Sequence, residues 1–190
     1  AKLFEEKNGS PPYEDQQLKN EHSAILAILS EVRLNLDDYP GALKVLDQYS
    51  SLYYSSWFAA SRAWVLMKLG RLDEAIQVAK LGMLTGADPG RTLNILGILL
   101  SMKNKREESI QIFNQAILYE NSRGERGQPA TPLNNSGEVY REIFKEELAE
   151  ASWQKAVRMP DGCEHILPSL NLEVLFIEQL RIKEAKKAID

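Results

Sequence analysis

The sequence predicts an all-α fold, a solenoid of antiparallel helix pairs. The first observation is the spacing of apolar residues between residues 91 and 120, where Leu93, Leu96 and Leu100 recur at intervals of three and four. A second apolar stripe follows after a short polar break at residues 103–105, which favours two helices folded back on each other. The second observation is that this unit recurs along the chain with a period close to 34 residues. A stack of such units buries the apolar faces that a single helix pair leaves open.

Small residues mark the register of this repeat. The early small residue of each second helix is, in chain order, Ala42, Ala75, Ser109, Ala149 and Ala185, with steps of 33, 34, 40 and 36 residues. The middle of each first helix carries Ser30, Ala63, Gly97, Gly137 and Glu173. Because glycine inside a helix costs about 0.5–1 kcal/mol relative to alanine, Gly97 predicts a close approach by another helix.

These residues carry a resemblance to the tetratricopeptide repeat, a helix-turn-helix unit of about 34 residues. It covers residues 23–190 and is strongest over residues 93–121, which include the Leu96-Gly97 pair, and over residues 63–79. The fourth copy keeps Gly137, Tyr140, Ala149, Trp153 and Ala156. The first and fifth copies depart further, with a tyrosine at position 49 and a glutamate at position 173. The resemblance implies a right-handed α-solenoid of about five repeats, in which the first helices line a concave groove that binds partner peptides.

The individual helices follow from local signals. Residues 1–22 form an N-terminal extension that we expect to be partly helical, with a loosely held lead-in over residues 1–12. Residues 13–36 form one helix or two, and one long helix is the favoured interpretation. Asp37 and Asp38, with Pro40 behind them, predict the start of the next helix. Asn104 is the predicted N-cap of the second helix in the third pair.

Turn signals delimit the later helices. The second pair is predicted at 55–69 and 72–84, the fourth at 132–144 and 145–159, and the last at 168–179 and from 182 onward. Residues 121–131, rich in glycine, proline and charge, lengthen one repeat and predict a mobile, surface-exposed insertion. Because the last helix would be cut short at Asp190, we expect the full-length protein to continue beyond it.

Composition narrows the classes of function. A net charge of −4 and a pI near 5.4 do not favour nucleic acid as a partner. The longest uncharged apolar run falls well short of the ~20 residues that a transmembrane helix needs. The single cysteine, Cys163, excludes an intrachain disulfide and leaves a cytoplasmic and a periplasmic location both open. Compartment and oligomeric state therefore stay open, a homodimer included.

The sequence shows no motif typical of an enzyme or a metal site. No glycine-rich phosphate loop, HExxH helix or cysteine pair is present in the sequence. Cys163 and His165 offer two ligands in one turn, but a zinc site takes three or four, so an ordinary inter-repeat turn is the favoured interpretation. We therefore expect no enzyme activity, no catalytic residue and no cofactor.

Nine residues on the predicted first helices are the candidate partner contacts. They are Trp57, Trp64, Met67, Lys68, Arg91, Asn94, Asn134, Glu138 and Arg141. Tryptophan and arginine most often dominate binding energy, and asparagine side chains hydrogen-bond to extended peptides. Two alternatives stay open: the N-terminal extension covers Trp57 and Trp64 as a cap, and the two asparagines are simply solvated.

These residues predict a protein-interaction scaffold that binds a protein or peptide in its concave groove. The lysine, asparagine and arginine with which related proteins grip a C-terminal carboxylate are replaced here by Ala60, Trp64 and Ile95, so a clamp of that kind is not expected. The alternative is an architectural or self-associating segment of a longer multidomain protein, with a second copy or a neighbouring domain over the aromatic residues.

Overall fold

The structure is a computed structural model of the 190-residue chain and describes residues 1–49, 56–85, 89–159, 166–181 and 184. These residues form α-helices and one short 3-10 helix, without a β-strand among them. The helices are α1 (Lys2–Asn8), α2 (Gln16–Asn35), α3 (Tyr39–Tyr49), α4 (Ser56–Lys68), α5 (Leu72–Thr85), α6 (Gly90–Met102), α7 (Arg106–Ser122), α8 (Ala130–Glu142), α9 (Glu146–Val157) and α10 (Ile166–Glu178). The all-α prediction is confirmed, and the helix limits of the second pair are predicted to within one residue.

The turn inside each helix pair repeats one backbone geometry. A residue with positive φ occupies the same place in every turn, at Asp37, Gly70, Asn104, Phe144 and Leu180. Their separations of 33, 34, 40 and 36 residues equal the steps predicted from the small residues. The next residue donates its N–H to a carbonyl five positions earlier, as Lys105 does to Leu100 at 2.9 Å. This bond satisfies a carbonyl that the helix end leaves unpaired.

This geometry corrects the prediction for Asn104. It does not cap α7, because the residue before that helix is Lys105, which makes no side-chain capping hydrogen bond. Asn104 instead has φ 61° in the turn after α6. Asparagine tolerates the left-handed conformation better than most residues, and this explains why it is found there. Asp38, in contrast, caps α3 as predicted, since its Oδ1 accepts the N–H of Gly41 at 2.9 Å.

The described chain divides into two compact units, Ala1–Ile95 and Leu96–Asp190. In the first unit α2 packs on α3, α3 on α4, and α4 on α5. Ala59 of α4 and Gly82 of α5 mark a close helix contact, because a Cβ on Gly82 would lie 2.4 Å from the Cβ of Ala59. Small residues at a crossing point let the two backbones approach, which is the packing that stacked helix pairs need.

The N-terminal lead-in is helical. Within the first unit, Phe4 of α1 stacks on His22 with ring centroids 5.5 Å apart, and Tyr13 meets both rings edge-on. The side chain of His22 is fully buried, with Nε2 3.2 Å from Glu5 Oε1. Burial lowers the pKa of His22, while Glu5 acts in the opposite direction. Leu3 is 81% exposed, so α1 is held mainly by the aromatic contacts of Phe4 with Tyr13 and His22.

The second unit repeats one ring-on-glycine contact. A Cβ on Gly97 would lie 2.5 Å from the ring of Phe113, and a Cβ on Gly137 would lie 2.5 Å from Nε1 of Trp153. Both rings are buried. The predicted close approach at Gly97 is therefore present, and it recurs one repeat later. Ser109 adds a buried hydrogen bond from its hydroxyl to the Gly97 carbonyl at 2.7 Å.

The region predicted as a mobile insertion over residues 121–131 is partly helical. Its first two residues complete α7, Gly124–Arg126 form the 3-10 helix, and its last two begin α8. Glu120, only 6% exposed, organises this link, because its Oε2 accepts the N–H of Gln128 at 3.0 Å and pairs with Arg123 at 3.2 Å. The extra residues in this repeat therefore fold around a buried carboxylate.

Candidate functional site

One face of α4 presents most of the candidate residues of the first unit. Trp57, Ser61, Trp64 and Lys68 follow each other at spacings of four, three and four, so they share one side of the helix. The other sides of α4 are covered by the core, and Ala60, for example, is fully buried. Trp57 and Trp64 are both partly exposed. This side of the helix therefore leaves part of two large aromatic side chains accessible.

A cation lies over each of these tryptophans. Lys68 Nζ is 5.0 Å from the ring centroid of Trp64, and Cζ of Arg91, from the first turn of α6, is 5.9 Å from that of Trp57. Both distances fall within the range of cation–π attraction, which contributes about 0.5–1 kcal/mol at exposed sites. We call Trp57, Trp64, Lys68 and Arg91 the cation–tryptophan surface.

The two cations of this surface differ from most of the arginines in their partners. Seven arginines of the described chain form ion pairs with carboxylates: Arg33, Arg62, Arg71, Arg106, Arg123, Arg141 and Arg181. Lys68 and Arg91 form no ion pair with any residue that the structure describes. Their charges are thus directed to the tryptophan faces and to solvent.

Ser61 adds a polar group to the same side of α4. It lies one turn after Trp57 and one turn before Trp64, and it is only 1% exposed. Its hydroxyl makes no hydrogen bond within the described part of the chain. Buried hydroxyl groups are normally hydrogen-bonded, so this one is a donor without an acceptor beneath the cation–tryptophan surface. Helical spacing alone identifies its side of the helix but gives no sign of its burial.

The candidate residues of the second unit belong to a closed polar network. Asn134 is buried, donates to Glu138 Oε1 at 3.0 Å and accepts from Asn171 Nδ2 at 3.0 Å. Its carbonyl accepts the indole N–H of Trp153 at 3.1 Å. Arg141 on α8 is paired with Glu178 on α10 at 2.6 Å. These groups satisfy one another, and the network ties α8 to its neighbours α9 and α10.

Two of the nine predicted contact residues are buried in the structure. Met67 is 9% exposed and Asn134 is 4% exposed, so neither offers a side chain to a partner. Both lie on the predicted first helices, but neighbouring elements cover them. Asn94 is partly exposed. Trp57 and Trp64 lie on one side of α4, with Arg91 over the first and Lys68 over the second, whereas Glu138 and Arg141 lie in the separate network of the second unit.

Sequence reasoning missed Asn171 and Glu178 of α10, which complete that network. The sequence did contain a signal for these residues, because α10 follows the same repeat register as α8. Asn171 lies 36 residues after Asn135, and Pro168 lies 36 residues after Pro132. Cys163 and His165 lie outside the described residues. Within the described ranges, no group of three or more histidine, cysteine, aspartate or glutamate side chains is arranged to hold a metal ion.

The geometry defines a class of protein, an array of stacked helix pairs with one repeated turn and one repeated ring-on-glycine contact. None of the helices in the described part combines the length and hydropathy that spanning a membrane takes. No protein-family model matches the sequence, and no curated protein matches it. Solved structures do match the fold.

The structure resembles that of PilF from Pseudomonas aeruginosa, with a TM-score of 0.74 and 18% identity over 90% of this chain and 74% of that one. BtubC from P. vanneervenii matches with a TM-score of 0.77 and 14% identity, covering 94% of this chain and 81% of BtubC. TTC0263, a thermophilic TPR protein of Thermus thermophilus, matches with a TM-score of 0.65 and 20% identity, covering 87% of each chain. The chain therefore has the fold of tetratricopeptide-repeat proteins, the all-α solenoid of helix pairs predicted from the sequence.

Proposed function

We propose that this protein is an interaction scaffold that binds a segment of another protein through the first helices of its repeats, and that it acts by binding rather than by catalysis. The observation that carries this proposal is the cation–tryptophan surface on α4 and α6. Two tryptophans on one side of α4 stay partly exposed, each with a cation over its ring, and together they offer aromatic area that a partner can cover.

The residue types of this surface suit recognition. Tryptophan and arginine are enriched among the residues that dominate binding energy, and a partner that desolvates an aromatic ring gains from its large area. The contacts that build the repeats lie elsewhere, for example at Ala59 and Gly82. The four residues can therefore be changed with little effect on the fold.

The test is affinity capture from an extract of the source organism, with wild-type protein and the Trp57→Ala/Trp64→Ala variant as baits. We expect proteins retained by the wild type to be lost from the variant. The matched control is Leu84→Ala, which removes an apolar side chain that is 83% exposed on α5. Thermal unfolding of each bait establishes that it is folded. A partner retained equally by all three baits would place binding elsewhere.

A second candidate function is self-association, which the last described helix favours. Ile166, Leu170, Val174 and Ile177 follow one another at helical spacing on α10 and are between 42% and 72% exposed. Such a stripe on a helix normally packs against another element. If a second copy covers it, sedimentation of the wild-type chain gives a dimer or larger species, and Val174→Glu shifts that species to monomer. A monomer at all concentrations would exclude this function.

A further inference from the structure

Lys68 and Arg91 indicate which chemical class of segment the first unit binds. We infer that the cation–tryptophan surface takes an acidic peptide segment, in which aspartate or glutamate residues stand next to apolar ones. This inference rests on the proposed function and adds the chemistry of the partner. It follows from charge complementarity, because two positive charges lie over tryptophans on the same side of α4 in a chain of net charge −4, and neither has a carboxylate partner among the described residues.

The position of Arg91 strengthens this argument. Arg91 is the second residue of α6, and the first turn of that helix has no acidic residue. The N-terminal end of a helix carries partial positive charge, so an arginine there is electrostatically unfavourable, whereas an anion is favoured. The second helices α5, α7 and α9 place two acidic residues each in their first turns. A carboxylate bound at Arg91 would relieve the repulsion and interact with the helix end as well.

The tryptophans make the two cations better receptors for carboxylates. Each charged group rests on a ring face, so part of the conformational entropy that binding would otherwise cost is already lost in the free protein. Hydrogen bonds between a cation and a carboxylate are about twice as strong as neutral ones. The ring surface next to each cation is apolar and accepts an aliphatic or aromatic side chain. The surface therefore matches a ligand that carries both kinds of residue.

The candidate contact residues of the second unit do not share this property. Arg141 is already paired with Glu178, and Arg106 with Glu142 at 2.8 Å. Glu138 is exposed and belongs to the asparagine network. A carboxylate that approached these side chains would have to displace one that is in place. We therefore expect selectivity for acidic peptides at the cation–tryptophan surface.

The experiment is a selection from a displayed library of random short peptides on the wild-type chain, followed by affinity measurements on the selected peptides. We expect aspartate and glutamate to be enriched about twofold or more over the unselected library, next to apolar residues. Binding of the selected peptides should weaken as ionic strength rises, since salt screens exposed charge pairs.

Matched variants separate charge from position. Lys68→Gln/Arg91→Gln should lower the affinity for the selected peptides by about tenfold, as the loss of two exposed charge-assisted hydrogen bonds predicts. Lys80→Gln/Arg126→Gln removes the same number of charges from exposed residues on α5 and the 3-10 helix and should leave the affinity unchanged. Circular dichroism establishes that both variants are folded.

The outcomes distinguish the two proposals. Selected peptides that require Trp57 and Trp64 but show no acidic enrichment would overturn this inference and leave the proposed function standing. A library that yields no binder, or only binders indifferent to both tryptophans, would overturn both. A wild-type dimer in sedimentation that Trp64→Ala dissociates would show that a second copy occupies the surface, and it would also overturn the inference.

Discussion

The contact between Gly97 and Phe113 permits a quantitative test of how the repeats are packed. In the variant Gly97→Ala, the new methyl group would lie 2.5 Å from the ring of Phe113, well inside contact distance. That ring is 1% exposed and cannot swing into solvent without opening the core. Something in the helix pair must therefore shift, because protein interiors are close-packed.

Two opposing effects set the magnitude. Alanine is a better helix former than glycine, which by itself would stabilise α6 by about 0.5–1 kcal/mol. An extra methyl group forced into a filled core costs about 1–3 kcal/mol. The steric effect is the larger, so we expect Gly97→Ala to lower the free energy of unfolding by about 1 kcal/mol. Gly137→Ala should cost more, because its methyl group would also push the Trp153 indole from its hydrogen bond to the Asn134 carbonyl.

Chemical denaturation followed by circular dichroism measures this difference. A double-mutant cycle with Phe113→Leu makes the test specific, because the smaller side chain leaves room for the methyl group. The cost of Gly97→Ala should fall or vanish in that background, with a coupling energy of about 0.5–3 kcal/mol. Asn114→Ala, on the exposed face of α7, reports helix propensity alone and should stabilise by about 0.5 kcal/mol. A Gly97→Ala variant at least as stable as the wild type would refute the steric argument.

Four further predictions concern single residues. Ser109→Ala should cost about 1 kcal/mol in denaturation, because it removes a buried hydrogen bond. Glu120→Ala should cost about 1–3 kcal/mol, since it leaves the N–H of Gln128 without its acceptor, and amide hydrogen exchange should accelerate there. Phe144→Gly should stabilise by about 1 kcal/mol in thermal unfolding, because the residue has φ 58° and is 90% exposed. Burial lowers the pKa of His22, so as pH falls below about 6.5 the unfolded chain takes up a proton before the folded one does. Denaturation at different pH values should therefore show the free energy of unfolding decreasing from about pH 6.5 down to the folded-state pKa. This decrease should be smaller in His22→Leu.

The repeat could be predicted from the sequence because it depends on local patterns. Apolar spacing determines which side of a helix is buried, and a small residue at a fixed step determines where two helices cross. Gly97 and Gly137 were therefore identified correctly, and the left-handed turn residues follow the same steps. Asn104 was misassigned because asparagine suits both a helix N-cap and a left-handed turn.

The candidate site could be predicted only in part, because helical spacing shows on which side of a helix a residue lies but not how deeply its side chain is buried. Met67 and Asn134 lie on predicted first helices, yet both are buried by neighbouring elements. The pairing of Arg141 with Glu178 spans 37 residues, and that of Arg106 with Glu142 spans 36. No local pattern reveals which charges are neutralised over such distances.

The sequence by itself determined the class of fold, because helix pairs, turn residues and crossing points all depend on residue type at short spacing. Only the tertiary structure decided which charged side chains are left without a carboxylate partner. Arg91 is 34 residues from Trp57 in the chain, and the fold of the first unit brings its guanidinium over the indole ring. Ion pairing and burial are properties of the three-dimensional neighbourhood, and that neighbourhood sets Lys68 and Arg91 apart from the paired arginines.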